Sequence, residues 1–233
     1  MKIAIVGAMD SEIMYLKDKM EEEGKIHENI VNNYIFYEGK IKNKEIILVK
    51  SGVGRTSAAI LLTTLLTIYK DVNKIINVGI AGGYGKLNIG DIVVGENTAY
   101  GDVDLTAFSK YVYGQMSSCP PIFLGDIEVV NKLKENNIKC HFGTICTTEK
   151  FTTNYDVTTS LINTHFANLN ILAFDMESAS FAQVAYMLNV PFIAIRAISD
   201  VIGDSEQVKK YKDVFEEASI QSNIFLLKVI ELL

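Results

Sequence analysis

The sequence predicts an α/β fold, one domain over residues 1–233 with a mixed, largely parallel central sheet between two layers of helices. Three observations predict it. Short β-branched runs alternate with segments of helical period along the chain. No repeat, low-complexity tract or long linker interrupts that alternation. The length of 233 residues and 48% hydrophobic content suit one sizeable core better than two small ones.

The elements follow in order. Ile3-Ala4-Ile5-Val6 reads as a buried strand ending at Gly7. Ser11 to about Glu23 reads as a helix, with Ile13, Leu16 and Met20 on one face. Tyr34 to Glu38 and Glu45 to Lys50 are strands joined by a turn at Lys42-Asn43-Lys44. Ser51-Gly52-Val53-Gly54 opens a helix from Thr56 to Tyr69. Lys74 to Val78 is a strand running into Gly79-Ile80-Ala81-Gly82-Gly83, and Asp91 to Asn97 continues the sheet. Asp126 to Glu135 is helical, and His141 to Cys146 is a strand followed by a segment reaching Phe151. Met176 to Leu188 is a helix whose small residues permit close packing. Pro191 to Ile198 is a strand leading to Ser199-Asp200, and a last helix covers about Tyr211 to Leu232. Sheets of this kind bind ligands where loops leave the carboxyl ends of strands. That points to the segments after Val6, Lys50, Val78 and Ile198.

Composition narrows the function. A net charge of -6, with lysines scattered and Arg55 and Arg196 the only arginines, argues against nucleic acid or an anionic membrane as partner. No apolar stretch reaches the roughly 18 residues of a membrane span. The N-terminus lacks the features of a signal peptide, so a cytoplasmic protein is expected. Cys119, Cys140 and Cys146 form no CxxC pair and read as reduced thiols. The three histidines are far apart, so no metal and no cofactor are expected.

The glycine segments are unspecific. Ser51-Gly52-Val53-Gly54 does not complete GxGxxG, and Gly79 to Gly83 is no Walker A loop. Both read as tight turns with close backbone approach, or as a nucleoside or anion cradle. Carboxylates carry more. Glu12 opens a helix just past a strand end, where an acid also simply complements the helix dipole. Glu177 sits among apolar and small residues at another helix start. Asp200 follows a continuous apolar strand, where burial raises a carboxyl pKa. Each alone fits a structural role; their shared address at strand ends marks them as a candidate site. Met9, Phe151 and Met176 lie beside these acids and suit either plain core or a nucleoside wall. Arg196, inside an apolar strand, demands a buried carboxylate partner.

Gly7-Ala8-Met9-Asp10-Ser11-Glu12, Ser51-Gly52-Val53-Gly54, Val78-Gly79-Ile80-Ala81-Gly82-Gly83, Asp102 to Phe108, Phe174-Asp175-Met176-Glu177 and Arg196-Ala197-Ile198-Ser199-Asp200 occur in an order and spacing that covers nearly the whole chain. Together they resemble the bacterial 5'-methylthioadenosine/S-adenosylhomocysteine nucleosidases, within the purine nucleoside phosphorylase-like superfamily. The resemblance implies a nucleoside phosphorylase-like three-layer fold and a homodimer. It implies hydrolysis of the N-glycosidic bond of methylthioadenosine and adenosylhomocysteine, and also of 5'-deoxyadenosine, with water as co-substrate. Asp200, held by Ser199, would protonate adenine N7, and Glu12 would activate water. Glu177 would hold the ribose hydroxyls while Met176 and Met9 pack the sugar. Phe151 would stack on adenine and the Thr152 backbone would read its Watson–Crick edge. Val53, Tyr211 and, from a neighbouring subunit, Phe108 would line the 5'-alkylthio pocket.

Several positions depart from the family. Ile80 stands where Ser is common, Asp175 for Glu, Gly101 for His, Tyr211 for Phe and Arg55 for Lys; of these, Ile80, Asp175 and Tyr211 count among the substrate-binding positions. The departures bear on substrate preference more than on reaction type. A phosphorylase would need a cationic clamp, which two arginines supply poorly. Futalosine hydrolysis and a catalytically silent nucleoside-binding protein stand as alternatives. A 5'-phosphate, as in AMP, would want basic residues where Val53, Phe108 and Tyr211 are placed.

Overall fold

The computed structural model describes residues 1–233 and contains ten strands and six helices. In chain order these are β1 (Lys2–Gly7), α1 (Asp10–Glu23), β2 (His27–Val31), β3 (Tyr34–Ile41), β4 (Lys44–Lys50), α2 (Arg55–Ile68), β5 (Lys74–Gly83) and β6 (Ile92–Tyr100). There follow β7 (Phe123–Leu124), α3 (Ile127–Glu135), β8 (His141–Thr147), α4 (Tyr155–His165), β9 (Ile171–Asp175), α5 (Ser178–Met187), β10 (Phe192–Val201) and α6 (Gln207–Leu232).

All strands belong to one sheet, ordered β10-β6-β8-β9-β5-β1-β4-β3-β2, with β7 beside β6. It is mixed. β4, β1, β5 and β10 run parallel, whereas β2, β3 and β4 form an antiparallel meander. A further pairing of β10 with β5 joins the two ends of the β10-β6-β8-β9-β5 run, so this half of the sheet curls into a closed ring.

Alternation along the strands builds the layers. Ala4 and Val6 of β1 face one side, with Ala58, Leu61, Leu62 and Leu65 of α2 and the small residues of α5. Ile3 and Ile5 face the other, with Ile13, Leu16 and Met20 of α1, Val130 of α3 and Phe225, Leu226 and Val229 of α6. The three-layer architecture expected from the sequence is therefore present, though antiparallel pairings are more prominent than "largely parallel" implies. No helix is long and apolar enough to cross a membrane.

Two expectations are corrected here. Gly79 to Gly83 is not a turn: β5 runs on through Gly83, in register with β10 from Arg196 to Val201. The segment after Ile198 is likewise strand rather than loop, with one extra residue, Ser199, inserted between the Ile198–Ala81 and Asp200–Gly82 pairs. By contrast, Gly52 (φ +83°) and Gly54 (φ +96°) do adopt the left-handed conformations that only glycine takes without strain.

Candidate active site

Because β1, β4, β5 and β10 are parallel, their carboxyl ends open on one edge, and the ends of β8 and β9 arrive there too. Between them lies a recess of about 580 Å³ lined by residues that include Met9, Glu12, Val53, Ile80, Phe151, Thr152, Asp175, Met176, Glu177, Ser199, Asp200 and Tyr211. Every expected site residue is thus brought together except Phe108, which is 63% exposed and stands outside this recess.

Glu12 is fixed by the first turn of α1. Its Oε2 accepts from the N–H of Ala8 (2.6 Å) and Met9 (3.1 Å), and its Oε1 accepts from the N–H of Ile80 in β5 (3.0 Å). The helix-cap role and the site role therefore coincide in one carboxyl. Burial pushes its pKa up, against the pull of Arg196 and the three N–H donors. The approach of β5 requires Gly79, since a Cβ there would stand 2.3 Å from Glu12 Oε1.

Asp200 owes its direction to the extra residue in β10. A bulge of this kind bends the strand and re-aims the following side chain. The Ser199 hydroxyl donates to Asp200 Oδ1 (2.6 Å), and the Gln207 amide donates to Oδ2 (2.7 Å). Burial raises the Asp200 pKa, opposed by these two donors.

Glu177 precedes α5 and accepts the Gly54 N–H at 2.7 Å. The Gly54 N–H, in the positive-φ glycine segment, is thus taken by the chain's own carboxyl. Burial pushes the Glu177 pKa up to about 8, reinforced by the neighbouring Asp175.

The arginines explain what surrounds these acids. Arg196 donates to Asp175 Oδ2 (2.7 Å), to Ser178 Oγ (2.8 Å), to the Asn77 carbonyl (3.0 Å) and to the Asn77 side chain. Asp175 also accepts from Thr147 Oγ1 (2.5 Å) and from the Ser178 N–H (3.1 Å). The Asp175 carboxyl is therefore held in a buried network, while the residue itself borders the recess beside Met176 and Glu177. Arg55 bonds Asp102 (2.7 Å) and Glu149 (3.0 Å) at the rim. Neither guanidinium faces the recess as a free cation.

The apolar wall is equally defined. Ile80 packs with Met9, Tyr211 and Phe215, and the Phe151 and Tyr211 rings meet edge to face with centroids 5.2 Å apart. Ile80 meets Glu12 through its backbone N–H, a contact that does not involve the side chain. The Thr152 carbonyl accepts from Gln207 at 2.8 Å. At Gly101, a Cβ would lie 2.6 Å from Cys146 Sγ, which explains why no larger residue occupies that position. Sequence reasoning missed Gln207, Thr147 and Ser178. Each acts through another side chain, and no local pattern announces that.

The sequence profile of the phosphorylase superfamily matches residues 2–231. A 5'-methylthioadenosine/S-adenosylhomocysteine nucleosidase of Bacillus thuringiensis is 38% identical over 99% of both chains. The nucleosidase of that name from S. pneumoniae, solved with the transition-state inhibitor MT-ImmA, superposes with a TM-score of 0.91 at 32% identity, covering 100% of this chain and 99% of that one. The native structure of futalosine hydrolase from Helicobacter pylori superposes with a TM-score of 0.88 at 26% identity, covering 100% and 98%.

Proposed function

The chain belongs to the phosphorylase superfamily and to its 5'-methylthioadenosine/S-adenosylhomocysteine nucleosidases, and we propose that it cleaves the N-glycosidic bond of these two nucleosides with water. The observation that carries the reading is the convergence of Glu12, Glu177 and Asp200 on one recess from which both arginines are withdrawn.

Breaking the C1'–N9 bond builds positive charge on the sugar and negative charge on the departing adenine. Asp200, whose pKa burial raises, donates a proton to N7. Glu12 takes a proton from the attacking water as the oxygen bonds to C1'. The products are adenine and the 5-thioribose. Each such proton transfer contributes about 10²- to 10⁴-fold. Glu177 holds the ribose hydroxyls, Met9 and Met176 pack the sugar, and Phe151 stacks on the base above the Thr152 backbone. Val53 and Tyr211 receive the 5'-alkylthio group. Phe108 completes that pocket from a second copy of the chain, which makes the working unit a homodimer. Its ring is free to do so, being exposed on its own subunit.

Phosphorolysis fits poorly. A phosphate would meet three buried carboxyl groups and no unpaired guanidinium. The test is release of free adenine from methylthioadenosine in phosphate-free buffer, run beside adenosylhomocysteine, 5'-deoxyadenosine and futalosine, with the assembly state checked by sedimentation. A strict requirement for phosphate with accumulation of a ribose 1-phosphate would overturn hydrolysis. A preference for futalosine would overturn the substrate assignment, and a monomer at full activity the role of Phe108.

A further inference from the structure

Arg55 opens α2 directly after the glycine segment, and three stretches of chain meet on it at the rim of the recess. Its guanidinium forks onto Asp102, with Nη1 donating to Oδ1 at 2.7 Å and Nη2 to Oδ2 at 3.3 Å. Its Nε and its backbone N–H both donate to Glu149 Oε1 at 3.0 Å. Asp102 Oδ2 in turn accepts the Glu149 N–H at 2.9 Å, which closes the triangle. The guanidinium lies over the ring of Tyr100, 5.5 Å from its centroid, and that ring is buried. One exposed ion pair contributes little, but a fork shared by two carboxylates and seated on a buried ring fixes all its members.

Each stretch carries a different part of the site. Gly54, the residue before Arg55, donates to Glu177 at 2.7 Å. Glu149 leads to Phe151 and Thr152. Asp102 begins the segment that ends at Phe108, and that segment is stiffened from within. Asp104 Oδ1 accepts the Thr106 N–H (2.9 Å) and hydroxyl (2.6 Å), and the Leu105 carbonyl accepts the Phe108 N–H (2.9 Å). Phe108 stands outside the recess of its own subunit, whose wall at Val53 is 52% exposed. We infer that Arg55 is a positioning residue for two active sites at once: its own, through Gly54 and Glu177, and the partner's, through Asp102 and Phe108. This rests on the reading of Phe108 given above.

The two effects act on different parts of the substrate. Glu177 serves the ribose, which every substrate carries. Phe108 serves the 5'-alkylthio group, which methylthioadenosine has and 5'-deoxyadenosine lacks. A disturbance at Arg55 is therefore general within its own subunit and confined to alkylthio substrates across the interface. A purely structural role would produce no effect across the interface that depends on the 5' substituent.

Dimers assembled from two differently tagged subunits test this. One subunit is silenced by Glu12→Gln together with Asp200→Asn, so that turnover comes from the other. With Arg55→Met in the silenced subunit alone, KM for methylthioadenosine is expected to rise about tenfold over the control dimer, the scale of a lost apolar pocket contact, while 5'-deoxyadenosine changes by less than about twofold. With Arg55→Met moved to the active subunit, both substrates are expected to lose alike. Asp102→Asn, which keeps the shape of the side chain and removes its charge, should repeat the first result from the silenced subunit, and it decides alone if Arg55→Met does not fold. Phe108→Ala in the silenced subunit is the reference for an effect across the interface. If Phe108→Ala raises KM for methylthioadenosine and neither Arg55→Met nor Asp102→Asn does so, the inference is overturned. Equal losses on both substrates from the silenced subunit would overturn it too. If Phe108→Ala itself has no effect across the interface, the reading of Phe108 fails, and this inference with it.

Discussion

Asp200 shows how far a single residue can be read from sequence. Its place at the end of an apolar strand marked it as a site acid, and so did the comparable addresses of Glu12 and Glu177. What aims it could not be read, because the bulge at Ser199 exists only against the register of β5. Gln207 was hidden for a related reason: the apolar period of α6 becomes clear only from Tyr211, although the helix begins at Gln207. Arg196 announced that it needed a buried carboxylate but not which one, and Asp175 proved to be the partner. The leaving-group role makes a sharp prediction. Asn at 200 keeps an acceptor for the Ser199 hydroxyl but carries no acidic proton. Asp200→Asn should lower kcat by about 10²- to 10⁴-fold or more, while adenine still binds in calorimetry. Near-normal turnover would refute proton donation by Asp200.

At the scale of elements, strong periodicity was legible and weak periodicity was not. The buried strands and the helices of regular apolar spacing were read to within a few residues. β2 was missed because its sequence, His-Glu-Asn-Ile-Val, is largely exposed at the sheet edge and carries no apolar alternation. α4 was missed because it buries only Thr158 and Ile162. β9 is five residues long, and its pairing with β8 and β5 is entirely non-local. The Gly79–Gly83 segment misled in a more instructive way: glycine was read as a turn former, whereas Gly79 is there so that a strand can pass against Glu12. Gly79→Ala therefore tests the element through the site. The added methyl must displace the Glu12 carboxyl or the strand, an overpacking that typically costs about 1–3 kcal/mol. The loss of kcat is expected to exceed what that modest destabilisation explains, by about 10²-fold. A drop in Tm with unchanged kcat would mean that Glu12 tolerates the shift and that its fixed position is not required.

The molecule as a whole bears a cost for gathering these acids. Desolvation raises the pKa of Glu12, Glu177 and Asp200 together, and the three meet at one edge of the sheet only in the folded chain. For Glu177 the window is defined: about 8 in the folded protein against 4.5 for the free side chain. Below pH 4.5 both states hold the proton and the group has no pH-dependent effect. Between 4.5 and 8 the unfolded chain has released a proton that the folded chain retains, so stability falls as pH rises through this window. Above about 8 the two states ionise alike and the penalty is constant. Gln at 177 cannot ionise, yet its carbonyl oxygen can still accept the Gly54 N–H. The Tm of Glu177→Gln relative to wild type should therefore climb from pH 5 to pH 8 and then level off. In a chain of this size each kcal/mol moves Tm by about 2–4 °C, which places the effect within reach of thermal unfolding. A Tm difference independent of pH would show that Glu177 titrates normally, and that the Gly54 N–H holds an ordinary ionised carboxylate. If the difference climbs as expected, the same substitution should also weaken substrate binding, because the group that destabilises the fold is the one assigned to the ribose hydroxyls.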